Sequence, residues 1–359
     1  MLHIRTRLLE ACRWSAEGEV AAADVVTAAL GMAVPVLLAA ISGDPAPGLA
    51  AALGSLAIGR VETAAGLRAH LRREAEALAP AILAALLAVL CADRGWLTDM
   101  ALILLVGIAA TVSGFSRPMA VSTTRFILFL MIASAVTTPM KALGTREAVG
   151  FLILVAGGAL WTSVLGLAVG AGVRWRRRAA VPAPPSQPIP TIRQKYARWR
   201  RSLTSFAGWN YPIRLVACIA VAAAIDIGWP DHHFHWIGLT VALLTERQIE
   251  LVPVKTIQRA VGTAIGVAIA AFTLRSALSS WALAGVVGLL AGIRPVARVR
   301  NYLAYSAVMT PLIVLVIDAG RVPDGGLLLD RLVATLIGAA LVIGTNRLLM
   351  RFSSSKGIL

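Results

Sequence analysis

The stretch RWRRRAAVPAPPSQPIPTIRQKYARWRRSLTSFA, residues 174–207, decides the fold because it separates two long apolar regions. Its prolines cluster between Pro182 and Pro190. Proline at that density excludes a helix and favours an extended spacer. Basic runs lie on both sides of the prolines, and juxtamembrane cations are attracted to anionic lipids. The stretch is therefore predicted to be a cytoplasmic linker that lies on the anionic inner leaflet and joins two membrane modules.

Outside this linker, positive charge alternates with apolar sequence. Most of the 34 Lys and Arg residues lie in every second segment that connects the apolar runs, starting with the N-terminal flank. Because basic residues resist translocation, these segments are predicted to be cytoplasmic. The pattern predicts an all-α polytopic membrane protein with twelve transmembrane helices and cytoplasmic termini, in a bacterial-type inner membrane. The predicted spans are Val25–Ser42, Gly48–Gly59, Leu78–Cys91, Leu97–Phe115, Phe126–Pro139, Ala148–Val173, Trp209–Gly228, His235–Thr245, Ala260–Leu274, Ala277–Ile293, Asn301–Ile317 and Leu327–Met350.

Composition agrees with a membrane protein. With 58% hydrophobic residues, 14% charged residues and a mean hydropathy of +0.78, the chain has too few polar groups to cover a soluble surface. The net charge of +16 is concentrated in the predicted cytoplasmic segments, which argues against a nucleic-acid partner. The sequence shows no order of catalytic residues, metal-ligand spacing or nucleotide motif, so no enzymatic activity, metal or cofactor is predicted.

The two halves of the chain resemble each other in the order of their features. Residues 1–24 are predicted to form an interfacial N-terminal helix, residues 25–173 and 208–350 two six-helix modules, and residues 351–359 a cytoplasmic tail. Aligning the halves places Gly54 on Gly238 and Thr138-Pro139 on Thr310-Pro311. Since six is an even number, both modules enter from the same side. They are predicted to be parallel repeats related by a pseudo-two-fold axis along the membrane normal.

The second and eighth spans are too short to cross a bilayer as regular helices. Short, interrupted apolar segments at matching positions of two halves point to a transport site. Arginine can bind the carboxylate of an organic anion, and a glutamate there can carry a proton. The alternative is that the helices end early and the charges extend to the inner surface. The candidate anion-binding residues are Ser55, Arg60, Thr240, Thr245, Arg247, Lys255 and Arg259, and the candidate proton carriers are Glu62 and Glu246.

Glycines at helical spacing indicate close helix packing. Gly262 and Gly266 are four residues apart in the run Arg259-x-x-Gly262-Thr263-x-x-Gly266. No strand precedes this run, so it is not a phosphate-binding loop. A packing role is therefore predicted for these two glycines and equally for three others, Gly54, Gly238 and Gly338. The histidines of the 231–235 segment match no closed metal site and are assigned to the outer membrane interface, with outer-side access for protons or substrate and metal binding as the alternatives.

Several of these motifs occur together in a known family. The run His235-Trp236-Ile237-Gly238-Leu239-Thr240, followed by the Arg259–Gly266 motif, resembles the membrane module of the fusaric acid resistance and aromatic acid exporter family. Asn301-Tyr302 and the run Thr335-Leu336-Ile337-Gly338 match the same module, and the first half matches it faintly through Gly54-Ser55-Leu56-Ala57. The resemblance implies six-helix modules acting in pairs and export of weak organic acids, including aromatic carboxylates. Plant aluminium-activated malate channels look like relatives that carry one such module per chain.

These observations predict an exporter of organic anions, with coupling to protons through Glu62 and Glu246. Two alternatives stay open, a passive anion channel and a membrane scaffold that transports nothing. The chain departs from larger family members in lacking sizeable cytoplasmic domains, and His235 stands where the family often has an aromatic residue before the tryptophan. The expected partners are a small organic anion and the lipid bilayer. The assembly is either a monomeric pseudo-dimer or a homodimer.

Overall fold

A computed structural model describes residues 14–15, 18–58, 67–92, 94–141, 145–176, 190–248, 252–276, 278–317 and 325–355. All regular structure in these residues is α-helical. The helices of the first half are α1 Ala22–Ile41, α2 Ala46–Ser55, α3 Leu67–Cys91, α4 Trp96–Val112, α5 Arg117–Lys141 and α6 Thr145–Arg176. Those that follow are α7 Ile192–Leu203, α8 Phe206–Gly228, α9 His235–Leu244, α10 Val252–Arg275, α11 Ser280–Arg300, α12 Tyr302–Ile317 and α13 Gly325–Ser355.

The all-helical, multi-pass class predicted from the sequence is confirmed. Eight of the described helices are long and apolar enough to cross a membrane: α1, α3, α5, α6, α8, α10, α11 and α13. The other predicted spans correspond to shorter helices, α2 and α9 with 10 residues each, α12 with 16 and α4 with 17. A regular helix of 10 residues is only about 15 Å long, half the thickness of the hydrocarbon core. Twelve spans therefore stay a prediction.

The N-terminal region differs in part from its prediction. Most of the predicted interfacial helix over residues 1–24 lies outside the described residues, but residues 18–21 are not helical. Gly18 has a φ of 107°, a conformation that glycine adopts without strain. The helix α1 begins at Ala22, before the predicted Val25.

The described helices group into two compact units, and each unit takes helices from both halves of the sequence. Unit 1 comprises residues 1–82, 143–184 and 261–324, and unit 2 comprises residues 83–142, 185–260 and 325–359. In unit 1, α1 packs on α2, α6 and α11, α2 packs on α6 and α12, and α11 packs on α12. The units thus cut across the predicted modules 25–173 and 208–350.

Unit 2 has the same pairings between the corresponding helices. There α8 packs on α9, α13 and α4, α9 packs on α13 and α5, and α4 packs on α5. The helices α1, α2, α6, α11 and α12 of unit 1 correspond to α8, α9, α13, α4 and α5 of unit 2. Each pairing within unit 1 recurs between the corresponding helices of unit 2. The linker helix α7, which packs on α8, is the additional element of unit 2.

The short helices occupy the interior of their units. α2 contacts three helices of unit 1, and α9 contacts three helices of unit 2. Every residue of α9 from Trp236 to Ala242 is buried, and α9 contains no Asp, Glu, Lys or Arg. A helix that is buried on all sides must be apolar, which explains why the sequences of α2 and α9 are apolar although neither helix is long enough to cross a membrane.

Candidate anion site at the end of helix α9

The helix α9 ends inside unit 2, and its end is fixed by its own backbone. Thr245 leaves the helical conformation with a ψ of 101°. Its amide and its Oγ1 hydroxyl both donate to the carbonyl of Val241, at 2.9 and 2.8 Å. Residues 245–248 are not helical. Glu246 and Arg247 therefore enter unit 2 on a non-helical segment, and the helix does not continue through them.

A buried arginine on α8 holds this segment in place. Arg214 is only 1% exposed. Its Nη2 donates to the backbone carbonyl of Glu246 at 2.7 Å, and its Nη1 donates to Oδ1 of Asn346 on α13 at 2.6 Å. A buried guanidinium is tolerated only where its donors find acceptors. Arg214 thus ties α8, α13 and the end of α9 together.

The side chains on the segment make further contacts within unit 2. The carboxylate of Glu246 forms an ion pair with the Lys255 ammonium on α10. The Arg247 guanidinium donates to the Ser113 hydroxyl at the end of α4, and it lies 5.3 Å from the centre of the Tyr211 ring. We call Tyr211, Arg214, Glu246, Arg247, Lys255 and Asn346, together with Ser113, the Arg214 cluster. It contains three cations and one carboxylate, an excess of positive charge that suits an anion.

The other predicted anion-binding residues divide between the two units. Thr240 is buried on α9 beside Gly338 of α13, and Arg259 is buried on α10, one turn beyond Lys255. Ser55 lies in unit 1, where its hydroxyl donates to the carbonyl of Gly31 at 2.8 Å and accepts from the hydroxyl of Thr162 at 2.7 Å. These bonds join α2 to α1 and α6. Arg60 and Glu62 lie outside the described residues.

Neither Arg214 nor Asn346 is among the anion-binding residues predicted from the sequence. The signal for Arg214 was present, because a charge one or two turns inside an apolar run is costly unless a partner meets it. Its partner could not be found in the same way. Asn346 is one of several polar residues on the 31-residue helix α13, and nothing in the sequence shows that it faces α8.

The glycines predicted to pack helices do lie against other helices. A Cβ atom on Gly54 would come within 1.9 Å of the Val155 carbonyl of α6, and one on Gly262 within 2.6 Å of the Leu303 carbonyl of α12. Gly266 lies equally close to Thr310 of α12, and Gly338 close to Thr240 of α9. Gly238 faces Met131 and Ile219 more loosely, at 3.3 Å or more. Gly54 and Gly238, aligned by sequence, therefore contact different neighbours.

A second polar cluster lies on the loop that precedes α9. The carboxylate of Asp330 on α13 contacts Nδ1 of His232 at 2.9 Å and Nδ1 of His233 at 3.3 Å, and it accepts from the His233 amide. The neighbouring Arg331 guanidinium lies 3.6 Å from the centre of the Trp236 ring. Among the described residues, no group of three or more His, Cys, Asp or Glu side chains is placed to hold a metal ion.

Comparison with known proteins finds a family match within the second half. Residues 216–344 match the family model described as fusaric acid resistance protein-like. No curated protein and no solved structure matches the chain. The matched stretch runs from α8 to α13, and it includes Glu246, Arg247 and Lys255. The family consists of membrane transporters, which agrees with the long apolar helices and indicates a multi-pass membrane protein of transporter type. The resemblance predicted from the sequence is thereby confirmed over residues 216–344, which are similar to the fusaric acid resistance protein-like family.

Proposed function

We propose that this protein exports organic anions, and aromatic carboxylates in particular, from the cytoplasm across a bacterial-type inner membrane. The observation that carries the proposal is the Arg214 cluster, in which three cations and one carboxylate meet at the break after α9. Non-helical backbone at a helix break is where secondary transporters commonly hold their substrates. The family of the second half supports the same class of function.

Arg247 is the residue proposed to capture the substrate carboxylate. It is exposed, whereas Arg214 is buried and bonded to Asn346 and to the Glu246 backbone. A guanidinium presents a planar fork of donors that matches a carboxylate, and Ser113 accepts from one of these donors, Nη2. Tyr211 lies beside the guanidinium and offers an aromatic surface to a ring-bearing substrate. The site therefore favours aromatic over aliphatic acids.

Proton coupling is proposed to act through Glu246. In the described state, its carboxylate is the partner of the Lys255 ammonium. An incoming carboxylate competes with Glu246 for Lys255, because both are anions that need the same cation. When Glu246 takes up a proton from the outer side, its charge is lost and it no longer competes with the substrate for Lys255. The proton is released to the cytoplasm as the substrate carboxylate takes Lys255. On the outer side the Glu246 carboxylate regains Lys255 and expels the substrate, so that protons move inwards while the anion moves outwards.

The proposed architecture is that of twelve spans in two parallel repeats, with both termini in the cytoplasm. Support comes from the pairings within unit 1 and unit 2, which correspond helix by helix. With this orientation, the Arg214 cluster lies towards the cytoplasm, where an exporter collects its substrate, and the His232–Asp330 contact lies towards the outside. The chain then acts as a covalently joined pair of modules.

The test is thermal stabilisation of the detergent-purified full chain by benzoate, salicylate, malate and acetate. A ligand that binds only the folded protein raises the melting temperature with its concentration. We expect benzoate and salicylate to stabilise the native protein and to lose this effect in Arg247→Ala. The matched control is Arg275→Ala, an exposed arginine of unit 1 at the end of α10. Equal stabilisation of the Arg247→Ala and native proteins would reject the proposed site.

A passive anion channel is the second candidate, favoured by the excess of cations over carboxylates in the Arg214 cluster. Such a channel passes current in a planar bilayer without a proton gradient. Anion currents that persist in Glu246→Gln at symmetric pH would favour this candidate over the exporter. A scaffold that transports nothing would instead tolerate Arg60→Ala and Arg247→Ala together without loss of resistance to an aromatic acid.

A further inference from the structure

The linker helix α7 presents a basic face that is not part of the Arg214 cluster. Arg193, Arg198, Arg200 and Arg201 are exposed, and the described residues 190–205 contain no acidic side chain. Arg193, Tyr196 and Arg200 line a shallow depression together with Ala197, Arg201 and Thr204. These residues follow the spacing of a single helix face, so three of the five cations of α7 share one side, which we call the basic face, whereas Lys195 and Arg198 lie elsewhere around the helix.

The opposite side of α7 is anchored to the protein. Trp199 points to the end of α4, where its Nε1 donates to the carbonyl of Thr111 at 3.1 Å and its ring meets that of Phe115 edge-on at 6.2 Å. A capping box between Thr191 and Gln194 fixes the start of the helix. The helix is thus held at both Thr191 and Trp199, while Arg193, Arg200 and Arg201 stay exposed.

The contact of Trp199 lies two residues from the contact of Arg247. Thr111 accepts from Trp199, and Ser113 accepts from Arg247, at the same end of α4. A displacement of α7 therefore acts on the backbone that positions Ser113. This chain of contacts connects the basic face to the Arg214 cluster through one tryptophan and one helix end.

We propose that the basic face of α7 binds the headgroups of anionic phospholipids, and that this binding holds Ser113 and Arg247 in the arrangement that receives the substrate. The second part rests on the proposed function. Anionic lipid is favoured by the concentration of arginines without acidic neighbours and by the exposed Ile192 and Tyr196, which suit the boundary between headgroups and acyl chains. The site is a regulatory one, through which lipid composition sets the affinity for the anion.

The first experiment measures binding of phosphatidylglycerol to the full chain in detergent, from the rise in melting temperature. Phosphatidylcholine and inorganic phosphate are the comparison ligands. We expect the triple variant Arg193→Gln/Arg200→Gln/Arg201→Gln to bind phosphatidylglycerol on the order of 100-fold more weakly, since each basic residue near an anionic surface contributes about fivefold. The triple variant Arg94→Gln/Arg146→Gln/Arg275→Gln removes three exposed arginines elsewhere and is expected to bind normally. Unchanged binding by the α7 variant, or equal stabilisation by inorganic phosphate, would overturn the lipid site.

The second experiment measures benzoate affinity in nanodiscs with and without phosphatidylglycerol. We expect benzoate to bind at least about fivefold more tightly in nanodiscs that contain phosphatidylglycerol than in those without it. The Trp199→Phe variant keeps an aromatic ring but loses the donor to Thr111. We expect this variant to bind the lipid, and we expect its benzoate affinity to be the same with and without phosphatidylglycerol. Retention of that effect in Trp199→Phe would overturn the connection through α4. If benzoate binds in neither lipid, the proposed function fails together with this connection, while the phosphatidylglycerol arm decides the lipid site by itself.

Discussion

At the scale of single residues, the structure is organised around a buried arginine. Arg214 lies among apolar helices, where a charge without acceptors is strongly unfavourable. It donates to the side-chain oxygen of Asn346 and to the backbone carbonyl of Glu246, and its Nε donates at 3.4 Å to the carbonyl of Asn210 on its own helix. The bond to the backbone fixes the segment that carries Glu246 and Arg247. Arg214 is therefore a positioning residue, and it leaves Arg247 and Lys255 to meet the substrate.

Replacement of Asn346 tests this role. Asn346→Leu removes the acceptor and leaves a donor of the buried Arg214 unpaired, which is expected to cost about 1–3 kcal/mol of stability. Asn346→Asp keeps an oxygen at the same place and is expected to preserve the fold. The melting temperatures of the two variants, measured without ligand, give the comparison. A Leu variant as stable as the Asp variant would show that the Asn346 contact contributes nothing.

At the scale of elements, close helix approach depends on particular glycines. A Cβ atom on Gly158 of α6 would lie 1.8 Å from the Ala51 carbonyl of α2, whereas one on the adjacent Gly157 would meet nothing within 4 Å. We expect Gly158→Ala to separate α2 from α6 and to destabilise unit 1 by about 1–3 kcal/mol. Gly157→Ala is the matched control and is expected to be neutral or slightly stabilising. Similar melting temperatures for both variants would contradict the close packing of α2 on α6.

The elements also show how far the sequence could be interpreted. The short apolar runs around Gly54 and Gly238 predicted two short spans at matching positions, and the structure has short helices there, α2 and α9. Apolar composition does not state which helix lies beside which, so the exchange of helices between the halves was not predicted. Arg247 became a candidate anion-binding residue through its place after a short span. Its contacts with Ser113 and Tyr211 could not be predicted, because α4 and α8 are distant in sequence.

At the scale of the whole molecule, each compact unit is built from both halves of the chain. In unit 1, α1 from the first half packs on α11 from the second, and a Cβ atom on Gly292 would lie 3.3 Å from the Cβ of Ala29. Cysteines at these two positions are expected to form a disulfide, because the distance is close to that of natural bridges. The control pair is Ala29→Cys with Gly285→Cys, since Gly285 faces open space.

This crosslink also distinguishes the two assemblies. With the native cysteines replaced and a protease site placed in the 181–188 linker, an oxidised Ala29→Cys/Gly292→Cys protein is expected to run as one full-length band after cleavage. Reduction should release two fragments. A band of twice the mass before cleavage would show that α1 and α11 come from different chains, so that the helices exchange in a homodimer. Absence of any crosslink would contradict the pairing of α1 with α11.

The most direct test of the central proposal is benzoate transport by the purified full chain in proteoliposomes, with and without an imposed pH gradient. We expect radiolabelled benzoate to accumulate faster in vesicles whose interior is acidic, in the direction that corresponds to export, above the rate of protein-free vesicles. Arg247→Ala should abolish the accumulation, and Glu246→Gln should remove its dependence on the gradient. Uptake equal to that of protein-free vesicles, or protein-dependent uptake that ignores the gradient and survives Arg247→Ala, would contradict a proton-coupled exporter with its site at the end of α9.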